Sequence, residues 1–263
     1  MEIIGYIACI LIGVSLGLIG SGGSILTVPV MVYLFSVSPQ LATSYSLFVV
    51  GCTSLVGVFT RVSKNGIDFK TAALFGSTSI ITVFVTRKFI MPAIPATLFK
   101  IGETSITLNL ATMLLFAILM LLASFSMIRN RETLVATSEK NPINYFRLAI
   151  YGTGIGLVTG FLGAGGGFLI IPVLVLICGL TMKQAIGTSL LIISVNSLIG
   201  FAGDLGHAQI DYSLLLMVTF LAIIGIITGT ILSLKINNAH LKKGFGWFVL
   251  AMGTYIILKE LFL

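Results

Sequence analysis

Charge is what this chain has least of. Charged residues make up 9% of it, against about 25% in soluble domains, so a surface bathed in water on every side is excluded. Cysteine is nearly as scarce. Cys9, Cys52 and Cys178 lie in apolar runs with no CxxC spacing and no paired histidines, which points to neither a disulfide framework nor a metal site. There is no HExxH sequence and no serine–histidine pair inside a segment, so an enzyme is not expected and no cofactor is called for. The net charge of +7 comes from basic residues scattered between apolar runs. Without a basic patch, nucleic acid is not an expected partner, and membrane topology accounts for the charges better.

What is present is apolar sequence. Hydrophobic residues make up 57% of the chain, with a mean hydropathy of +1.14. Runs near 20 residues recur from end to end, the length that a hydrocarbon layer of about 30 Å demands. The chain reads as an all-α, multi-pass membrane protein, with the lipid bilayer as its surroundings. Residues 1–19 resemble a signal peptide in length, but they carry Glu2 in place of a basic start and have a counterpart at 144–162. They are therefore expected to belong to the mature fold.

That counterpart is part of an internal repeat. Gly17 to Pro29 reads GLIGSGGSILTVP, and GFLGAGGGFLIIP follows 143 residues later at Gly160 to Pro172. The match continues without a gap, pairing Ser46 with Ser189, Gly57 with Gly200 and Asp68 with Asp211. Two copies of one unit are expected: a first transmembrane repeat at 1–128, a linker at 129–144 and a second repeat at 145–263.

Basic residues set the orientation. If each glycine cluster turns the chain back, Arg61, Lys64, Lys70, Arg129, Arg131, Lys140, Arg147, Lys183, Lys235, Lys242 and Lys243 share the linker's side, and only Arg87, Lys88, Lys100 and Lys259 face the other. If each broken run is instead one crossing, the charges divide almost evenly and give no orientation. The first topology places the linker in the cytoplasm and gives each half an odd number of crossings, which inverts one half relative to the other. Each repeat is then a glycine-broken helical hairpin plus three full-length helices. Residues 24–35 reach only about 18 Å at a rise of about 1.5 Å per residue. The two hairpins are accordingly expected to enter from opposite sides and bring their tips together near the midplane.

Non-helical backbone at membrane depth survives only where protein or an aqueous cavity surrounds it, so the tips are the leading candidates for a substrate site. The candidate residues are Gly20, Ser21, Gly22, Gly23, Gly163, Ala164, Gly165 and Gly166. A helix begins after each tip, and its free N–H groups and positive dipole end favour an anion. The preceding helices present negative ends, which keeps a cation site open. No strand precedes the glycines and no Walker lysine follows them, so a nucleotide site is not indicated. Gly13, Gly17, Gly156 and Gly160 form GxxxG pairs, expected to pack helices.

The third segment of each half adds a polar stripe that includes Ser46, Ser189, Asn196 and Ser197. Ser46, Ser189 and Asn196 are further substrate candidates, with an interhelical hydrogen bond as the alternative for Asn196. Asp68 and Asp211 each precede an apolar run and are expected helix N-caps. Asp204 and His207 are candidates for gating or proton movement, and Trp247 for an interfacial anchor.

Together, the two glycine motifs, the repeat and the stretch AIGTSLLIISVNSLIGFAGDLGHAQIDY resemble the TauE/SafE family of sulfite exporters over nearly the whole chain. The first copy departs from the family pattern where Ser44, Tyr45 and Thr53 stand opposite Gly187, Thr188 and Asn196. The resemblance implies a protein of the bacterial plasma (inner) membrane that moves sulfite, sulfonates or similar sulfur-containing oxyanions. Export by alternating access between the tips is the expected activity, and a carrier of a cation or zwitterion at the same site is the alternative. Assembly as a homodimer is left open.

Overall fold

Nearly every apolar run becomes helix in the computed structural model, which describes residues 2–20, 23–62, 66–95, 97–101, 104–128, 145–163, 165–205, 210–233 and 238–262. Helices α1 (Glu2–Ile19) and α2 (Ser24–Leu34) flank the first glycine cluster, and α3 (Pro39–Val62) follows. Helix α4 (Phe69–Val85) continues through a π-helical turn (Thr86–Ile90) into the short α5 (Met91–Ala93). Strands β1 (Thr97–Ile101) and β2 (Thr104–Thr107) pair antiparallel before α6 (Leu108–Ile128). The second half supplies α7 (Tyr145–Leu162), α8 (Gly167–Leu176), α9 (Met182–Asp204), α10 (Tyr212–Leu232) and α11 (Asn238–Phe262). The strand pair is a local departure from the expected all-helical chain. Its β-branched Thr97, Ile101, Thr104, Ile106 and Thr107 suit a pleated backbone.

The molecule is inside out by the standards of a water-soluble protein. Ile7, Leu11, Leu122, Phe125, Leu216 and Phe220 are exposed, while Ser46, Ser54, Thr188, Ser189, Asn196 and Ser197 are completely buried. That distribution fits a surrounding of lipid. Among the described residues, five helical stretches are long and apolar enough to cross a membrane: 39–60, 69–93, 108–125, 184–204 and 212–232. The stretches in α3 and α9 are 72% buried and those in α4, α6 and α10 only 39%, so α3 and α9 form the centre.

These two central helices run antiparallel. Ser44 of α3 bonds Asp204 of α9 at one end, and a Cβ on Gly57 would lie 3.4 Å from Leu190 toward the other. The end that holds Val62 and Met182 is called here the linker end, because α6 finishes and α7 begins on that side; the other is the far end. Contacts recur at the 143-residue offset. Gly57 meets Leu190 and Gly200 meets Leu47. The N–H of Asp68 donates to Thr188 Oγ1 at 2.9 Å, and the N–H of Asp211 donates to Tyr45 Oη at 2.6 Å. Tyr45 is thus a longer reach to the same backbone position that Thr188 serves in the other half. Asp68 and Asp211 are N-caps as expected, each accepting two first-turn N–H groups.

The GxxxG glycines bind each long helix to a helix from the opposite half. Side chains at Gly13 and Gly17 would collide with the backbone of α10 around Ala222, Ile226 and Thr230. At Gly156 and Gly160 they would collide with Ser79, Thr82 and Thr86 of the α4 stretch. Gly225 and Gly229 return the fit against Ile10 and Val14.

The two arms at each glycine cluster are unequal. Helices α1 and α7 have 18 residues each, whereas α2 and α8 have 11 and 10. The long arms run past the centre: Gly20 is pressed against Ile186, the fifth residue of α9, and Gly163 against Thr43, the fifth of α3. The chain then turns back, and Gly165 lies against Val50 and Ile193, each the twelfth residue of its helix. The expectation is two tips that approach each other near the midplane; Gly20 and Gly163 instead lie toward opposite ends of the α3–α9 pair, and it is Gly165 that stands level with its middle. The observed long arms, at about 1.5 Å per residue, are nearly full crossings.

Candidate functional site

The second glycine cluster is the better described. Gly163, Gly165 and Gly166 have φ of 68°, 65° and 66°, the left-handed region that L side chains avoid. That run of unusual dihedrals lets a helix end and another begin within four residues. The N–H of Gly163 still closes the last turn of α7 on Thr159 O at 2.9 Å. Gly166 is the N-cap of α8, and no side chain caps that helix. Gly20 likewise has a positive φ of 82° and closes α1 on Leu16 O at 2.8 Å, and no side chain caps α2 at Gly23. Ser21, Gly22, Ala164 and His207 lie outside the described residues.

Unused polar atoms gather around this tip. A Cβ on Gly165 would stand 3.0 Å from Ser197 Oγ, and one on Gly166 would strike Thr159 Oγ1. Among the described residues both hydroxyls are buried and without a hydrogen-bond partner, as is that of Thr86, which lies against Gly160. Ser189 is committed elsewhere, donating to Ile186 O in its own helix at 2.9 Å. Asn196 Nδ2 donates to Ser79 Oγ at 2.6 Å, while its Oδ1 has no partner. The interhelical role therefore occupies one end of that amide. Thr53, its counterpart, bonds back to Val49 O and Val50 O instead.

The strongest charge near the tip is Arg87, inside the π-helical turn that continues α4. It is 2% exposed. Its Nη1 donates to Thr43 Oγ1 at 3.0 Å and to Asp204 Oδ2 at 3.1 Å, and Ser44 Oγ donates to the same carboxylate oxygen. Asp204, a gating candidate, is thus a buried member of an ion pair that joins α3, α4 and α9. Among the described residues Nε and Nη2 of Arg87 have no partner, and a Cβ on Gly163 would lie 2.7 Å from Nη2.

Sequence reasoning missed Arg87 by counting it with Lys88 as a charge beyond the membrane. The signal was present: apolar residues continue to Ile90, and the chain does not break before Pro92, so the arginine is inside the 69–93 stretch. An ionisable residue in such a segment is costly and is by default a functional hypothesis. The cavity between α4 and α9, about 300 Å³ and lined by Ala72, Gly76, Ile80, Ile192 and Val195, is apolar and stands apart from these groups.

Comparison with known proteins adds the family. Residues 6–256 match the model of the sulfite exporter TauE/SafE family. The chain belongs to the TauE/SafE family. A probable membrane transporter protein of Xylella fastidiosa (strain 9a5c) is 27% identical over 95% of this chain and 92% of its own. The probable membrane transporter protein YunE of Bacillus subtilis (strain 168) is 27% identical over 81% and 83%. YdhB of the same organism, also a probable membrane transporter protein, is 26% identical over 87% of each chain. No solved structure matches. With its apolar helices, this TauE/SafE chain is a multi-pass membrane transporter.

Proposed function

We propose that this transporter exports sulfite or a related sulfur-containing oxyanion, such as a sulfonate, across the bacterial inner membrane by alternating access. The halves 1–128 and 145–263 are read as inverted repeats joined by a cytoplasmic linker at 129–144, and the glycine clusters as hairpin tips that meet the substrate. The observation that carries this reading is the second tip: left-handed backbone at the level of the twelfth residues of α3 and α9, opening an α8 N-terminus with no side-chain cap. Such a helix start favours a negative guest through its N–H groups and dipole. Gly163, Gly165 and Gly166 are the backbone candidates at this tip, with Ser46 and Asn196 on the flanking helices. Gly20 and Gly23 belong to the other tip, Gly20 lying toward the linker end, and the Ser189 hydroxyl already donates to Ile186 O.

A cation held by tip carbonyls is less well supported. The carbonyl of Gly166 already accepts from the N–H groups of Leu169 and Ile170, and that of Gly23 from Leu26 N–H and Thr27 Oγ1. Flux from proteoliposomes loaded with radiolabelled sulfite, compared with loaded amino acids, tests the proposal. Sulfite efflux that depends on the protein is expected, and equal indifference to sulfite and alkylsulfonates would sink it.

A further inference from the structure

The tip carries more than backbone donors, and the symmetry of the two halves shows where. At the 143-residue offset, Thr43 corresponds to Ile186 and Arg87 to Thr230. Gly20 consequently meets the Ile186 side chain, where Gly163 meets Thr43 and the Arg87 guanidinium. Two nearly equivalent turns of backbone thus differ by a guanidinium, whose charge Asp204 balances from one edge.

The guanidinium is also half used, in a particular way. Nη1, the nitrogen on the Cδ side of the group, makes both known contacts, to Thr43 and Asp204. The unpartnered nitrogens, Nε and Nη2, form the opposite, side-on edge. That edge carries two parallel N–H bonds at the spacing of two oxygens of one carboxylate, sulfonate or phosphate group. Leaving it dry and unpaired is costly, and the nearby hydroxyls of Thr86 and Thr159 are unpartnered as well.

We infer that the Nε–Nη2 edge of Arg87 is the anion-binding handle of this transporter, gripping two oxygens of an oxyanion beside Gly163. Asp204 and Thr43 hold the other edge and fix its aim. This rests on the export reading and narrows it: the cargo is recognised as a planar or pyramidal oxyanion with two oxygens on one face, and not simply as negative charge. Asp204 neutralises the guanidinium before the ligand arrives. The grip is consequently moderate, as a carrier that must release its cargo requires.

The test is binding to purified protein in lipid nanodiscs, with sulfite, methanesulfonate, acetate and chloride as probes and folding checked by thermal unfolding. Wild type is expected to bind the oxyanions at least tenfold more tightly than chloride. Arg87→Lys keeps the charge but not the paired donors, and should lose that preference. Arg87→Gln combined with Asp204→Asn removes both charges together, so that neither is stranded, and should lose oxyanion binding at least tenfold. Lys88→Gln, at the exposed neighbour, should bind as wild type. Binding by the charge-neutral pair equal to wild type, chloride bound as tightly as oxyanions, or no binding of any probe overturns the assignment. Sulfite flux separates the two claims. Flux retained in the charge-neutral pair overturns the role of Arg87 and leaves the export reading standing. Arg87-dependent binding of acetate and methanesulfonate by a protein that carries no sulfur oxyanion overturns the export reading alone.

Discussion

At the scale of single residues, the buried pair of Arg87 and Asp204 ties the turn after α4 to the end of α9. Each charge is out of water, and each is stabilised chiefly by the other, with Thr43 and Ser44 adding hydrogen bonds. Removing one partner strands the other, at about 3–5 kcal/mol for a buried pair, whereas replacing both with apolar groups is often near neutral. Arg87→Met should therefore lower the thermal unfolding midpoint in detergent far more than Arg87→Met with Asp204→Leu. Equal losses in the single and double variants would show that the pair contributes no mutual stabilisation. The role of the arginine was hard to read in the sequence because its neighbour Lys88 is an exposed charge. Two adjacent cations look like one membrane boundary, and only the fold separates them. Asp68 and Asp211 were legible, since capping is local and needs only the residues that follow. Ser189 shows the reverse case: its hydroxyl is consumed by the carbonyl of Ile186, a choice that spacing along a helix does not disclose.

At the scale of elements, the interlocking of the halves depends on close backbone approach. Gly13, Gly225 and Gly229 sit where α1 and α10 touch, and side chains there would meet main-chain atoms, which cannot rotate away. Gly225→Leu should push the two helices apart and cost about 1–3 kcal/mol, typical of overpacking a filled core. Gly244→Leu, at a position with nothing within 4 Å, should be close to neutral. Similar thermal midpoints for these two variants would contradict the packing. The GxxxG pattern announced that some helix would come near, and the breaks were visible as glycine clusters. Which partner each long arm takes was not visible, because every helix here has an apolar surface that lipid satisfies as well as protein does. The overshoot of α1 and α7 past the centre was hidden for a similar reason: a count of apolar residues fixes the length of a helix but not where it starts.

For the whole molecule, the repeat and the apolar composition were enough to give a multi-pass helical transporter, and the family match agrees. The cargo follows less directly, since on the proposed reading it depends on a few buried groups drawn from α3, α4, α7 and α9. One prediction belongs at this scale. An inside-negative potential of 100 mV acts on each anionic charge with about 2.3 kcal/mol, roughly a fifty-fold concentration ratio at equilibrium. In proteoliposomes with a potassium gradient and valinomycin, sulfite efflux should accelerate when the interior is made negative and slow when it is made positive. Efflux unaffected by the imposed potential would rule out net charge movement and point to compensation by a coupled ion.

The depth of Arg87 has a consequence for that experiment. The residue stands roughly three-quarters of the way along the 69–93 stretch, counted from the linker end at about 1.5 Å per residue. An ion arriving from the linker side would cross most of the electric field before docking, and one arriving from the far side only a small part. Occupancy would then be strongly voltage-sensitive from one compartment and nearly blind to voltage from the other. A duplicated, near-symmetric scaffold would become a rectifier through the placement of one guanidinium.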